Sequence, residues 1–245
     1  YISELKALSS CSITSNANGG KLSEKVNKDI LPKCWPETLN KLSLATNSSS
    51  LGKLPKNLTL ISLEGPNLKT VKELAECPNL SYDSEFSKFD LSACISLKNL
   101  EGLENKLHVN KIFISQFINN LDSLNDKEDL ELTICFKFIK NKNYEISKEL
   151  AKSLSKLKNF KLFIRTEYDI ILDHNIDLSN IGSLKNVNSL DLDGSNIKDL
   201  SFISSMQNLN YVKLNTSNLT KELKRKVFET EGQIAKLKIK LLSTS

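Results

Sequence analysis

The sequence has few of the residues on which catalytic and metal sites depend. Its only histidines are His108 and His174, and its five cysteines include no C-x-x-C pair. Zinc sites need clustered cysteine and histidine ligands, so we expect no metal and no other cofactor. The sequence also has no P-loop, no G-x-G-x-x-G and no G-x-S-x-G motif. We therefore expect that the chain is not an enzyme.

Neither positive charge nor hydrophobicity is concentrated in a long run. The 34 basic and 29 acidic residues give a net charge of +5 and are largely interleaved. Nucleic-acid-binding proteins usually gather their positive charge in a patch, so this distribution favours nucleic-acid binding only weakly. No apolar run approaches the ~18 residues that a membrane span requires, and no signal-peptide pattern opens the chain. We expect no transmembrane segment.

The cysteines number five, and they are Cys11, Cys34, Cys77, Cys94 and Cys135. An odd number without a pairing pattern is typical of reduced, structural thiols. Cysteine usage therefore favours a reducing compartment, although the sequence leaves the compartment itself unknown. The alternative is a disulfide between Cys11 and Cys34 that fixes the N-terminal segment.

An internal repeat dominates the C-terminal part of the chain. The segment VNSLDLDGSNI begins at Val187, and LNYVKLNTSNL begins at Leu209, so the offset from 187 to 209 is 22 residues. Both segments follow L-xx-L-x-L-xx-N/C-x-L, whose known periods are about 20–29 residues. Less regular matches begin at Leu39, Leu58, Phe86, Val109, Leu130 and Leu157. The pattern predicts one parallel strand per repeat.

These residues resemble leucine-rich repeat proteins over about 39–242. The sequence pattern after Val187 resembles internalin-type bacterial repeats. Repeats of bacterial ubiquitin-ligase effectors are similar to two other segments, LPKCWPETLNKLSLATN from Leu31 and LPKNLTLISLEGPNL from Leu54. The resemblance implies an α/β solenoid, with a curved parallel sheet on the concave side and helices and turns on the convex side. It also implies protein–protein recognition. Uneven repeat lengths, several lost Asn positions and the absence of a following ligase domain are departures from these families.

The chain divides into three predicted segments. Residues 1–35 are predicted to be a helical N-terminal cap, because Ile2, Leu5 and Leu8 are spaced for one helical face. Residues 36–219 hold about eight irregular repeats, with a helix predicted where Ile146 and Leu150 begin a helical spacing. Residues 220–245 are predicted to be a helix–strand cap. The stretch 165–183 is irregular, and its residues 168–172 are either an extra strand or a protruding loop.

Two positions inside the repeats have specific predictions. Cys94 falls at the N/C position of its repeat, which points inward and bonds to neighbouring backbone, so we expect a structural role. In L-x-L, the leucines face the core and the residues beside and between them face out of the concave sheet. The outward residues that we assign to partner binding are Lys88, Asp90, Lys111, Phe113, Glu131, Thr133, Lys161, Phe163, Arg165, Asp191, Asp193, Tyr211 and Lys213.

Two aromatic residues distinguish this set of outward positions. Phe113 and Phe163 are large apolar side chains where solvent is expected, and Lys111, Lys161 and Arg165 flank them. This arrangement resembles an interface core with a charged rim. The alternative is that a long loop covers both phenylalanines. Likewise, Asp191 and Asp193 either form a solvated strand face or pair with a basic patch on a partner.

The predicted function is a protein-binding module whose concave face holds a partner protein of unknown identity. The resemblance suggests a bacterial effector or surface protein aimed at a host protein, acting in the host cytosol after secretion in the effector case. One alternative is nucleic-acid or phosphoinositide binding through the basic outward residues Lys41, Lys88, Lys111, Lys161, Arg165 and Lys213. Another is a targeting domain of a larger enzyme whose catalytic part lies outside this stretch.

Overall fold

The fold was analysed in a computed structural model that describes residues 10–14, 35–81, 89–104, 106, 109–137, 144–166, 176–192, 199–215 and 238–242. The chain forms two compact units, Tyr1–Leu124 and Asn125–Ser245. No helix in these described ranges is long and apolar enough to cross a membrane.

The first unit contains two groups of parallel strands. The strands β1 (Ser10–Thr14), β2 (Lys41–Ala45) and β3 (Leu60–Glu64) pair in that order. The strands β4 (Phe89–Leu91) and β5 (Lys111–Ser115) form a second parallel pair. Leu44 is in register with Leu63, so the corresponding leucines of adjacent repeats stack on one another. The strands predicted from the repeats in this unit are confirmed.

The second unit contains β6 (Leu130–Phe136), β7 (Tyr144–Glu145), α1 (Lys148–Leu154), β8 (Phe160–Thr166), β9 (Ile176–Asp177), β10 (Val187–Asp191), β11 (Tyr211–Asn215) and β12 (Lys238–Leu242). Within this unit the strands β6, β8, β10, β11 and β12 lie side by side in that order, all parallel. The short strands β7 and β9 pair separately. Parallel neighbours along the chain require a crossover between them, and the segments between the strands provide it.

Buried apolar residues recur at every third position in the crossovers. In the segment before β11, Ile203, Met206 and Leu209 each donate a backbone N–H to the carbonyl three residues earlier, at 3.1–3.3 Å. This is 3-10 geometry, in which side chains at i and i+3 eclipse and so share one buried face. The 3-10 segments in the described ranges are Lys72–Glu76, Asp122–Leu124, Ser179–Ile181 and Ser201–Ser205.

The predicted helix near 146–157 is present as α1. Ser147 caps it by accepting a hydrogen bond from the Leu150 N–H at 3.1 Å. Leu150 and Leu154 are fully buried, which agrees with the predicted apolar face. Elsewhere in the described crossovers the chain uses 3-10 turns.

Asparagines in front of the strands connect neighbouring repeats. Asn208 Nδ2 donates to the Lys185 carbonyl at 2.6 Å. Asn186 Nδ2 donates to two carbonyls, those of Leu154 and Leu157, at 2.7 Å each. Asn57 makes the corresponding bond in the first unit, to a carbonyl 20 residues earlier. These side chains satisfy loop carbonyls that have no strand partner.

The N-terminal segment differs from its prediction. The strand β1 lies inside 1–35 and pairs with β2, with Cys11 in register with Leu42 and Ile13 with Leu44. The helical prediction is therefore wrong for Ser10–Thr14, because Leu8-xx-Cys11-x-Ile13 is a repeat with cysteine in place of the central leucine. The rest of the predicted cap, including Cys34, lies outside the described residues, and the disulfide with Cys11 remains a prediction.

The C-terminal strand agrees with its prediction. The strand β12 pairs with β11 in parallel, with Lys238 in register with Tyr211 and Lys240 with Lys213. The predicted helix of the same cap, after Thr220, lies outside the described residues. The same holds for the predicted strand or loop at 168–172.

Candidate functional site

The outward side of the sheet in the second unit gathers most of the predicted binding residues. We call it the unit-2 face, and its residues are Glu131, Thr133, Cys135, Lys161, Phe163, Arg165, Ser189, Asp191, Tyr211 and Lys213. Alternate residues such as Leu132, Leu162 and Leu190 are fully buried, as the pleat of a strand requires. The predicted alternation is thus confirmed for this sheet.

Register places the unit-2 face residues in rows that cross the strands. One row runs through Glu131, Lys161, Ser189 and Tyr211, and the next runs through Thr133, Phe163, Asp191 and Lys213. Neighbouring strands lie about 4.8 Å apart, so the members of a row are close enough for side chains to meet. Arg165 stands in a third row, in register with Cys135.

A buried carboxylate joins two cations at the centre of the unit-2 face. Asp191 Oδ1 lies 2.9 Å from Arg165 Nη1, and Asp191 Oδ2 lies 3.5 Å from Lys213 Nζ. The Asp191 side chain is 9% exposed, against 34% for Arg165. Asp191 lies on the outward side of its strand as predicted, but the prediction that its side chain is exposed to a partner is wrong. Two long cationic side chains reach across the strands and cover it.

Arg165 is also held by an aromatic ring. Its guanidinium carbon lies 5.5 Å from the centroid of the Phe163 ring, within the range of a cation–π contact. Nη1 of Arg165 donates to the Ile164 carbonyl at 3.0 Å as well. The guanidinium therefore has fixed neighbours on several sides. Phe163 itself is half-buried, so part of the ring remains at the surface.

The side of the unit-2 face nearest β6 has a weaker ion pair. Lys161 Nζ donates to Glu131 Oε1 at 2.9 Å, and the lysine side chain is 50% exposed. Exposed pairs of this kind contribute about 0–1 kcal/mol, so this pair shapes the surface more than it stabilises the fold.

Two smaller side chains on the unit-2 face, Thr133 and Cys135, differ in their burial. Thr133 is buried, so its predicted exposure is wrong. Its register neighbour is Phe163, and a small threonine beside a large ring loses contact with solvent. Cys135 is half-buried and in register with Arg165.

The predicted residues of the first unit form a smaller group. Phe113 is half-buried on β5, in register with Asp90, and Lys111 is half-buried on the same strand. Asp90 Oδ1 accepts hydrogen bonds from the Ser92 N–H and the Ser92 hydroxyl, at 2.9 and 2.6 Å. Asp90 therefore helps to form the turn after β4. Phe113 belongs to the first unit and Phe163 to the second, so each is described with its own unit and their shared surface remains a prediction.

Two predicted site residues, Lys88 and Asp193, lie outside the described residues. The same is true of 167–175, where the loop that could cover Phe163 would lie. Their assignments remain predictions.

Two buried thiols in the described part of the first unit, Cys94 and Cys77, have structural positions. Cys94 is fully buried and its Sγ lies 3.9 Å from the Leu63 carbonyl oxygen, which confirms the inward, backbone-bonded position predicted for it. Cys77 is also fully buried, with its Sγ 3.5 Å from the Pro55 carbonyl oxygen. Burial raises the pKa of each thiol to about 11. Such thiols are poor nucleophiles because the thiolate is the reactive form.

A buried lysine was missed in the sequence. Lys106 is 5% exposed and occupies a position where the every-third pattern expects an apolar residue between Leu103 and Val109. Its Nζ donates to the carbonyls of Cys77 and Ala75, at 2.7 and 3.2 Å. Burial lowers the pKa of Lys106, partly opposed by Cys77 and Glu104. The interruption of the period-three pattern was the signal that could have identified it.

Comparisons with known proteins give a likeness in structure but none in sequence. No protein-family model matches the chain, and no curated protein matches it either. Among solved structures, the chain is similar to an internalin from Listeria monocytogenes, with a TM-score of 0.37 and 15% sequence identity. The match covers 84% of this chain and 64% of the internalin, so the chain spans just under two thirds of that protein.

The registers described above bear on the fold class of the chain. Its parallel strands, one per repeat with stacked leucines and few helices, are compatible with a leucine-rich-repeat-like α/β fold.

Proposed function

We propose that this chain is a protein-recognition module and that the unit-2 face is where its partner binds. The single observation that carries the proposal is the position of Arg165, which stacks on Phe163 and pairs with the buried carboxylate of Asp191. Arginine and large aromatic residues supply most of the binding energy at protein interfaces, particularly where they are held in place before the partner arrives.

The fixed guanidinium favours recognition for an entropic reason. Immobilising a flexible side chain on binding costs about 0.5–1.5 kcal/mol. Arg165 has already lost much of that freedom to its contacts with Asp191 Oδ1 at 2.9 Å and with the ring of Phe163. Its exposed edge, with the exposed part of Phe163, offers a partner both polar and apolar contact at little further loss.

The charge distribution favours a protein partner over nucleic acid or phosphoinositide. Carboxylates alternate with cations across the unit-2 face, since Glu131 pairs with Lys161 and Asp191 with both Arg165 and Lys213. A row of phosphates crossing β6 to β10 would meet the Glu131 carboxylate, and the charges of Arg165 and Lys213 are already partly neutralised by Asp191. A folded protein surface, with charges of both signs, can match this alternation. In this proposal the chain binds and does not catalyse.

The biological setting is proposed from the sequence resemblance. The repeats after Val187 resemble internalin-type bacterial repeats, and we propose a bacterial effector or surface protein aimed at a host protein. Buried, reduced Cys77 and Cys94 suit a reducing compartment such as the host cytosol.

Affinity capture from a lysate of cultured host cells, with mass-spectrometric identification, tests the proposal. Wild type is compared with Phe163→Ser/Arg165→Gln, and with Lys148→Ala/Lys152→Ala on the exposed side of α1 as a matched control. Circular dichroism first checks that all three proteins are folded. We expect one protein to be enriched by wild type and by the control and lost with the face variant. Equal enrichment by all three proteins would rule out the unit-2 face.

A parallel variant, Phe113→Ser, tests the first unit. We expect it to retain the partner, because the proposed anchor lies in the second unit. Loss of the partner with Phe113→Ser alone would move the binding site to β5.

A further inference from the structure

The unit-2 face has a low point at Ser189, on the strand β10. Serine is the shortest side chain of its row, in which Lys161 on β8 and Tyr211 on β11 are its register neighbours. Ser189 is half-buried, although its own side chain extends only a short way from the sheet. Its larger neighbours therefore rise above it on both sides.

Aromatic residues flank this low point on two sides. Tyr211 is next to Ser189 in the same row, and Phe163 lies one strand away on β8, in the next row. With about 4.8 Å between strands and about 3.3 Å per residue, the Cα atoms of Phe163 and Ser189 are about 8 Å apart. Phe163 and Tyr211 are both half-buried, so part of each residue remains accessible. We call the space over Ser189, between Phe163 and Tyr211, the β10 hollow.

The charged groups around the β10 hollow are turned away from it and paired with one another. Lys161 Nζ lies 2.9 Å from Glu131 Oε1 on β6, which is on the side of β8 away from β10. Arg165 Nη1 and Lys213 Nζ lie 2.9 and 3.5 Å from the carboxylate oxygens of Asp191, so both cations gather over the next row. A charged group placed in the hollow would lose hydration beside cations that already have carboxylate partners.

We propose that the partner protein inserts one uncharged, apolar side chain into the β10 hollow, between Phe163 and Tyr211. This inference rests on the proposed function of the unit-2 face and specifies the chemistry of the group that the face receives. The two aromatic rings and the methylene stem of Lys161 supply apolar contact, while the neighbouring charges neutralise one another. An apolar anchor that fills a central pocket inside a polar rim contributes much of the binding energy of a protein interface.

The test attaches small thiol probes at the base of the β10 hollow. Ser189→Cys is compared with Ser43→Cys, an exposed outward position on β2 whose register neighbours are Ser12 and Ser62. Each variant is equilibrated with mercaptoethanol and the symmetrical disulfide of one probe, which carries a phenethyl, isobutyl, ammonium or carboxylate group. Peptide mapping by mass spectrometry then gives the mercaptoethanol concentration that displaces half of the probe from the introduced cysteine.

We expect the phenethyl and isobutyl probes at position 189 to resist displacement about tenfold better than the two charged probes, because only the apolar groups gain by leaving water. At position 43 the four probes should differ by less than about threefold, since that position offers no aromatic neighbour in register. Equal preferences at the two positions, or a preference for a charged probe at position 189, would overturn the inference.

A larger residue at the base of the hollow separates this inference from the proposed function. Ser189→Leu fills the hollow and leaves Phe163 and Arg165 in place, with Ser43→Leu as its matched control; if circular dichroism shows that Ser189→Leu is unfolded, Ser189→Val replaces it. In capture from the host-cell lysate, we expect the partner to be lost with Ser189→Leu and retained with Ser43→Leu. Loss with Phe163→Ser/Arg165→Gln but retention with Ser189→Leu would overturn the inference alone. Retention with both face variants would overturn the proposed function and this inference with it.

Discussion

Replacing Asp191 with asparagine tests how the centre of the unit-2 face is held together. The substitution keeps the shape of the side chain and removes the charge that Arg165 and Lys213 share. Removing one member of a fully buried ion pair costs about 3–5 kcal/mol. Here the Arg165 side chain is 34% exposed and Lys213 is 25% exposed, so water partly replaces the lost carboxylate. We therefore expect a loss of about 1–2 kcal/mol.

The measurement is urea unfolding followed by circular dichroism, with Glu131→Gln as the matched control. That substitution breaks the Glu131–Lys161 pair, whose lysine side chain is 50% exposed, so we expect a loss below about 1 kcal/mol. Added salt should reduce the control effect more than the Asp191 effect, because screening acts mainly on exposed pairs. If Asp191→Asn loses no more unfolding free energy than Glu131→Gln, the reasoning that Asp191 is a buried carboxylate shared by two cations is refuted.

Three further predictions concern stability. Asn186→Ala should cost about 2 kcal/mol in urea unfolding, roughly twice the loss of Asn208→Ala, because Asn186 bonds two carbonyls and Asn208 one; equal losses would contradict this. Burial raises the pKa of Cys94 from 9.0 to about 11, so above pH 9 the folded state keeps a proton that the unfolded state loses, and stability falls as the pH rises. Cys94→Ala should therefore lose stability less steeply than wild type between about pH 8.5 and 10.5. An identical decline in the two proteins would contradict this prediction. Gly102→Ala should cost more than about 2 kcal/mol, because φ is +104° and a Cβ would lie 2.6 Å from the Val71 carbonyl oxygen; a thermal melt with an unchanged midpoint would contradict it.

The strands were predictable because the repeat has a strong apolar period. Leu190 and Leu192, or Leu42 and Leu44, each mark an inward position that packing then confirms as buried. The strand β1 was missed because Cys11 replaces the central leucine. The pair β7 and β9 was missed because two-residue strands such as Tyr144–Glu145 are too short to show any period.

The crossovers were harder to predict than the strands. Apolar residues at i, i+3 and i+6 fit a 3-10 turn, and over so few residues the same spacing also fits one side of an α-helix. Only the region of Ile146 to Leu157 continued far enough for the helical prediction to hold. The asparagines before the strands, such as Asn186, were not recognised, because their acceptors lie one repeat earlier in the chain.

The outward positions of the candidate site residues could be predicted from the sequence, whereas the contacts among them could not. Alternation identifies which residues lie on the outward side of a strand, and Phe163 and Arg165 are on that side. Alternation does not predict which of these side chains covers its neighbour on the next strand. Arg165 and Lys213 reach over Asp191, and Thr133 is buried next to Phe163, so neither Asp191 nor Thr133 is exposed as predicted.

The most direct test of the proposed function is an experimental structure of the chain with its captured partner. We expect the partner to contact Phe163 and Arg165 and to bury a standard interface of about 1,600 Å² that includes the unit-2 face. Arg165 should keep its contact with Asp191 in the complex. A partner that instead lies on the side of α1, leaving Phe163 and Arg165 in solvent, would contradict the proposal.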